Sequence, residues 1–202
     1  MFILWPVMAI VLGGVMGEAE IQAGMFAAML IGSGPMIAIA TNVAEDSEYK
    51  SLRFLVMAGV KPWQYLFGLA ISVFLASVLS LAALVLIGGI TGEVLLRFSL
   101  VAILGLIASA ILGGAVGIFA KNVQQAAAIY TPLMMVLAFT PMLAAFNETI
   151  ARIAEFLFPY QVLVVIFNPE ADFIRALLVI AGNAVVLLAF FIFAYKKKGL
   201  RG

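Results

Sequence analysis

Residues 66–90 read LFGLAISVFLASVLSLAALVLIGGI, 25 residues without a single charge. At 1.5 Å of rise per residue, a helix of about 20 apolar residues crosses the roughly 30 Å hydrocarbon core of a bilayer. This run is therefore long enough to span a membrane by itself. Working outward from it, five more uncharged runs occupy 2–17, 21–44, 98–120, 126–146 and 176–195, each set off by a short charged stretch. The first is the shortest and reaches only about 24 Å as a helix. With 66% hydrophobic and 10% charged residues in a chain of 202, the composition lies outside the range of soluble globular domains. The expected fold is an all-α integral membrane protein, a single domain over 1–202 with about six transmembrane helices.

The positions of the few charges orient it. Lys50, Arg53, Lys61, Lys121, Lys196, Lys197, Lys198 and Arg201 all fall on one side of a six-span layout. The other side holds Arg97, Arg152 and Arg175 against Glu18, Glu20, Glu93, Glu148, Glu155, Glu170 and Asp172. Short loops rich in Lys and Arg are retained in the cytoplasm, so both ends of the chain are expected inside, in a bacterial or archaeal plasma membrane. The segment 2–17 lacks the basic flank and small-residue cleavage site of a signal peptide and reads as a retained span.

Composition also excludes chemistry. With no Cys and no His, the chain has no thiolate or imidazole for a metal, no disulfide, and no Cys- or His-based nucleophile pair. The GSG at 32–34 has no His to activate Ser33. A net charge of +1 offers no basic face for nucleic acid. No G-x-x-x-x-G-K-[ST] occurs, so the chain does not cradle nucleotide phosphates in the P-loop manner. No charge lies deep in a span, which argues against a proton relay, an ion-coupled core or a voltage sensor. The expectation is that the chain is not itself an enzyme and holds no cofactor or metal.

One polar stretch exceeds what a turn between spans requires. Residues 44–68 read AEDSEYKSLRFLVMAGVKPWQYLFG. Asp46 and Glu48 sit where a first helical turn would begin, Ser47 is placed to cap, Gly59 follows the last apolar residues, and Pro62 lies three beyond it. Between these signals Leu52, Leu55, Val56 and Gly59 recur at helical spacing. The pattern predicts a short amphipathic cytoplasmic helix over 46–58. It serves either as a lipid-facing stop between spans or as a docking surface for a soluble partner.

Here the chain resembles the membrane-spanning subunits of ABC-2 type transporters. The six-span layout with both ends inside is similar, and so is the acidic-headed helix ending in AGVKPWQYLFG before a long third span. The GGAVGIFAKN run at 113–122 is similar to the family's Gly-rich close of span four. The prolines of TPLMMVLAFTP followed by NETIARIAEFLFPYQ are similar to the family's fifth span and the extracellular helices that dip back into the membrane, here 147–160. The resemblance implies a permease subunit that pairs with a second copy or close paralogue and binds two separate ATPase subunits, which hold the ATP and Mg. It implies that 46–58 is the coupling helix, with Glu45, Asp46, Glu48, Leu52, Leu55 and Lys61 as the ATPase-facing candidates. Spans two and five of each half would then open the path between the halves.

Other residues admit structural and functional readings side by side. The small residues Gly13, Gly14, Gly17, Gly32, Gly34, Gly113, Gly114 and Gly117 let helices approach closely in lipid. Pro35, Pro132 and Pro141 each remove a helical hydrogen bond and mark either shape or a bending point of a pathway. Asn183, mid-span, needs a partner for its amide, from another helix or from substrate. The NET at 147–149 is a helix cap by Asn147 or a formal glycosylation acceptor. An apolar pathway rich in Phe and Met suits an amphipathic or hydrophobic cargo, peptide or drug-like. The competing reading is a non-transporting scaffold or assembly protein whose amphipathic helix rests on lipid.

Overall fold

The computed structural model describes residues 2–12, 19–49, 51–144, 146–167 and 173–199. Within these, the side chains of Leu52, Arg53, Val56, Phe167, Lys197 and Lys198 are not described. Gly13, Gly14, Gly17, Glu18, Lys50, Glu170, Asp172 and Arg201, singled out above, lie outside the described residues. The described residues are helical throughout, apart from turns: α1 (Leu4–Leu12), α2 (Ala19–Glu48), α3 (Ser51–Met57), α4 (Pro62–Gly88), α5 (Gly92–Phe119), α6 (Val123–Ala144), α7 (Glu148–Ala154), α8 (Phe158–Phe167) and α9 (Phe173–Gly199). Helices α2, α4, α5, α6 and α9 are long and apolar enough to cross a membrane. α7 and α8, bent by 110° at their junction, form a further apolar pair. The chain is thus a multi-pass helical membrane protein.

Helix α2 is the centre of the bundle. In its most apolar stretch 83% of residues are buried, against 17% in α9 at the periphery. Lipid tails are as apolar as leucine, so helices associate in a bilayer through close packing rather than through solvent exclusion. The packing of α2 on α5 is close because α5 presents small residues one turn apart. A Cβ built on Gly113 would lie 2.5 Å from the Met36 carbonyl oxygen and 2.9 Å from its Cα. One on Gly117 would lie 2.5 Å from Val43 Cβ and 2.8 Å from the Ala40 carbonyl, and one on Gly105 would lie 2.8 Å from Ile31. Between them, Ser109 is fully buried and its Oγ accepts from the Met36 amide at 3.2 Å, just after Pro35.

The same device recurs around α2. Gly88 of α4 abuts Ala23, and Gly24 and Gly32 of α2 receive Ile166 and Pro159 of α8. Gly32 also lies against the Leu137 carbonyl of α6, which Pro141 four residues later has no N–H to satisfy. A large apolar core fills the half nearer Phe26, Phe98 and Phe158, and a second one forms around Val43, Tyr65, Phe191 and Tyr195. Outward, Leu86 and Ile174 are more than 70% exposed, as lipid-facing side chains are.

The boundaries differ from expectation in two places. The segment read as a first span is represented by α1, nine residues and about 14 Å long. The rest of that reading, 13–17, lies outside the described residues. The helix expected over 46–58 is divided. α2 continues through Glu48, and Ser47 Oγ donates back to the Val43 carbonyl at 2.9 Å instead of capping a new helix. A backbone carbonyl one turn back competes effectively for a serine hydroxyl, so the acidic residues close α2 and α3 begins at Ser51. The stop signals hold: Gly59 takes φ +79°, a conformation costly for a residue with a Cβ, and Pro62 opens α4.

Replacing Gly113 by valine forces a methyl-bearing Cβ into the Met36 backbone. We expect a loss of about 1–3 kcal/mol, read as a lowered Tm in detergent. Gly182→Ala on α9, where an added Cβ meets nothing within 4 Å, should leave Tm unchanged or slightly raised.

Candidate functional site

The charged side chains gather at the two ends of the bundle. At the end where α2, α5 and α9 finish and α4 and α6 begin, here called the basic end, a polar cluster joins four elements. Asp46, in the last turn of α2, accepts from Tyr65 Oη of α4 at 2.8 Å on Oδ2 and from Ser51 Oγ of α3 at 2.9 Å on Oδ1. Ser51 Oγ also reaches the Asp46 carbonyl. Tyr195 of α9 stacks obliquely on Tyr65, with ring centroids 5.8 Å apart, and donates to the Val60 carbonyl in the α3–α4 turn at 3.2 Å. An acidic group at a helix C-terminus faces the negative end of the helix dipole. The two hydroxyl donors offset that disadvantage and fix the carboxylate in place. Helix α3 is thereby pinned to α2, α4 and α9.

Of the residues read from sequence as facing a partner, the structure uses some otherwise. Asp46 is half-buried in the cluster just described. Glu48 is exposed, and its Oε2 accepts from the Val123 amide at 3.3 Å, at the N-terminus of α6, where a carboxylate is favoured by the dipole. Leu55 packs inward on the second core. The side chain of Leu52 lies outside the described residues. Glu45 and Lys61 are exposed, and the Lys61 amide donates to Gln64 Oε1 at 3.0 Å.

The outward surface around α3 is instead apolar: Tyr49, Phe54, Met57 and Trp63 are all more than half exposed. Sequence reasoning missed it because the apolar spacing of 52, 55, 56 and 59 and that of 54, 57 and 58 describe two faces of one short helix. Which face turns inward was decided by the tether at Asp46, a contact 19 residues distant in sequence.

A second feature runs along α2 and α6. Gly32 lies opposite Leu137, and Glu48 opposite Val123, so the two helices are antiparallel neighbours with 41–42 level with about 127–130. There α2 presents the half-buried Thr41 and Asn42 and the exposed Glu45, and α6 exposes Gln124, Ala128, Thr131 and Pro132. Thr41 and Thr131 satisfy their hydroxyls on the Ile37 and Ala127 carbonyls, at 2.8 and 2.7 Å. Pro132 has no N–H for the Ala128 carbonyl, and an unpaired carbonyl in hydrocarbon costs several kcal/mol. This face suits a protein or aqueous neighbour better than acyl chains. Pro35 and Pro141, in contrast, are buried within the bundle.

At the opposite end, Asn147 caps α7, its Oδ1 accepting from the Thr149 and Ile150 amides at 2.9 and 3.3 Å. The sharp bend between α7 and α8 is held from α9. Asn183 Nδ2 donates to the Phe156 carbonyl at 3.0 Å and to its own Val179 carbonyl at 2.8 Å, and Arg175 pairs with Glu155 at 2.5 Å. Asn183 thus ties α9 to the turn between α7 and α8. Among the described residues no group of His, Cys, Asp or Glu is placed to hold a metal.

Comparison with protein-family models, curated proteins and solved structures finds no match to this chain.

The cluster at Asp46 makes a specific prediction. Tyr65→Phe leaves a half-buried carboxylate short of one donor, at a cost of about 1.5–3 kcal/mol for a hydrogen bond to a charged group. Hydrogen exchange should accelerate in 51–57 while the amides of α5 keep their protection. Equal exchange in both variants would show that the cluster does not hold α3.

Proposed function

We propose that the chain is the permease subunit of an ATP-driven exporter of the ABC-2 type, working as a pair of like subunits with two copies of a separate ATPase that holds ATP and Mg. The observation that carries this reading is the construction of the basic end. α3 turns Phe54 and Met57 outward, beside Tyr49 and Trp63, while the Asp46, Ser51, Tyr65 and Tyr195 contacts tie it to three long helices. A partner seated on that apolar surface would move α2, α4 and α9 together, which is what coupling requires. In this reading the basic end is cytoplasmic, by the excess of Lys and Arg there, and the membrane is a bacterial or archaeal plasma membrane.

The α2–α6 face, with Asn42, Gln124 and the Ala128 carbonyl to which Pro132 offers no N–H, would meet its counterpart in the second subunit and border the path. That refines the expectation that spans two and five line it. Only the basic-end half of α2 is available, because the remainder is enclosed by its own bundle. The cargo expected for such a path is amphipathic or hydrophobic. A second reading, a scaffold without transport, draws on the same exposed Phe54, Met57 and Trp63, which also suit burial among lipid headgroups.

Affinity purification of the tagged chain from its native membrane separates the two. We expect a soluble P-loop ATPase in near-equal amount, lost at least tenfold with Phe54→Asp. Recovery of the chain without ATPase, under conditions that keep an established ABC complex whole, would favour the scaffold.

A further inference from the structure

Helices α4 and α5 join through the tight turn at 89–91, yet toward the basic end a cavity of about 490 Å³ opens between them. Trp63, Phe67, Ile71 and Phe74 of α4 and Ile107 and Ala110 of α5 line it, and no ionisable side chain does. From Trp63 to Phe74 it runs eleven residues of helix, about 16 Å, close to the depth of one leaflet's hydrocarbon, about 15 Å. Its outer rim is accessible from the side, since Phe67, Ile71 and Ile107 are exposed. At its mouth stands Trp63, an amphipathic ring of the kind that settles at the membrane interface, and Lys61, two residues before it, is exposed.

We propose that this groove is a binding site for an anionic phospholipid of the leaflet at the basic end, one acyl chain lying between α4 and α5 and the headgroup phosphate drawn to Lys61. The dimensions, the uniformly apolar walls and the exposed Lys61 two residues before Trp63 each match that occupant. A second copy of the chain fits less well, because a narrow concavity one leaflet deep offers no matching ridge for a helix, and the face in need of a protein neighbour lies on α6. A second cavity of about 360 Å³ on the same α4–α5 seam, near Leu86, Leu95 and Ile103, lies nearer the opposite end. The nearest cation there, Arg97, is paired with Glu93 at 2.5 Å. That groove receives acyl chains without headgroup preference and supplies the internal control. The inference stands apart from the exporter reading, since it needs neither ATPase nor transport.

The test uses the full chain in vesicles of mixed phosphatidylcholine and phosphatidylglycerol, with a trace of either lipid carrying a photoreactive diazirine in its acyl chain. Labelled residues are mapped by mass spectrometry. We expect labelling by phosphatidylglycerol to concentrate on 67–74 and 107–110. It should fall at least about fivefold with Lys61→Glu, since loss of one cation near an anionic surface alone has that effect, and fall also with Ala70→Phe, which fills the groove. Labelling of 86–103 should be unchanged in both variants. Lys61 is exposed, so K61E retains the fold even where A70F does not. Labelling spread evenly over exposed sites such as Val185 and Val186, or identical labelling by both lipids in wild type and K61E, would overturn the proposal. So would an intermolecular disulfide formed by Ile107→Cys in this cysteine-free chain, which would place a second copy in the groove.

Discussion

Backbone-to-backbone approach between α2 and α5 is the constraint from which the rest of the arrangement follows. In a bilayer, apolar side chains gain little by meeting one another instead of lipid, so stability must come from dense contact and from polar groups that would otherwise be stranded. Gly105, Ser109, Gly113 and Gly117 supply the first, one residue per turn along a single face of α5. Ser109 supplies the second by accepting the Met36 amide. Once α2 is held against that face, its remaining sides are free to take α4 at Gly88, α8 at Gly24 and Gly32, and α6 at Leu137. In its half away from the basic end α2 is enclosed by its own bundle and serves as an axle, while its basic-end half keeps part of its surface.

A rigid axle gives the basic end its meaning. Asp46 lies in the last turn of α2, so whatever moves α3 through Ser51 and Tyr65 acts on the centre of the bundle and not on a peripheral loop. Tyr195 extends the connection to α9, whose opposite end holds the α7–α8 bend through Asn183 and Arg175. A chain of packed and hydrogen-bonded elements thus links the surface around Phe54 at one end to the bend at Phe156 at the other. That continuity is what a subunit driven from one side of a membrane would need.

Much of the architecture was legible in the sequence because the relevant physics is local. Uncharged runs located α4, α5, α6 and α9 to within a few residues, and Gly59, Pro62 and Asn147 marked their turns and cap for conformational reasons that hold in any context. The α7–α8 pair was expected over 147–160 from the family resemblance alone, and α8 runs on to Phe167. What escaped depended on distant partners. Ser47 was a cap by propensity, yet it bonds back into α2. Glu48, a partner-facing candidate by the resemblance, also approaches the first amide of α6, 75 residues away. The inward face of α3 was set by Asp46 and Tyr65, which no helical periodicity encodes. The four-residue spacing of Gly105, Ser109, Gly113 and Gly117 was present to be read, but only the partner helix shows why the line begins at Gly105.

The absence of native cysteine makes the central contact directly measurable. In a Val43→Cys, Gly117→Cys double variant the Cβ of 117 would start 2.5 Å from that of 43, inside the roughly 3.8 Å of a relaxed disulfide, so the helices need yield only about 1.3 Å for the bond to close. Mild oxidation of this variant in membranes, followed by alkylation and intact-mass measurement, should show an intramolecular disulfide in nearly every molecule, with neither thiol alkylated. Two thiols that remain fully alkylatable after oxidation would mean that α2 and α5 do not meet at this register, and the arrangement built upon their contact would fall with it.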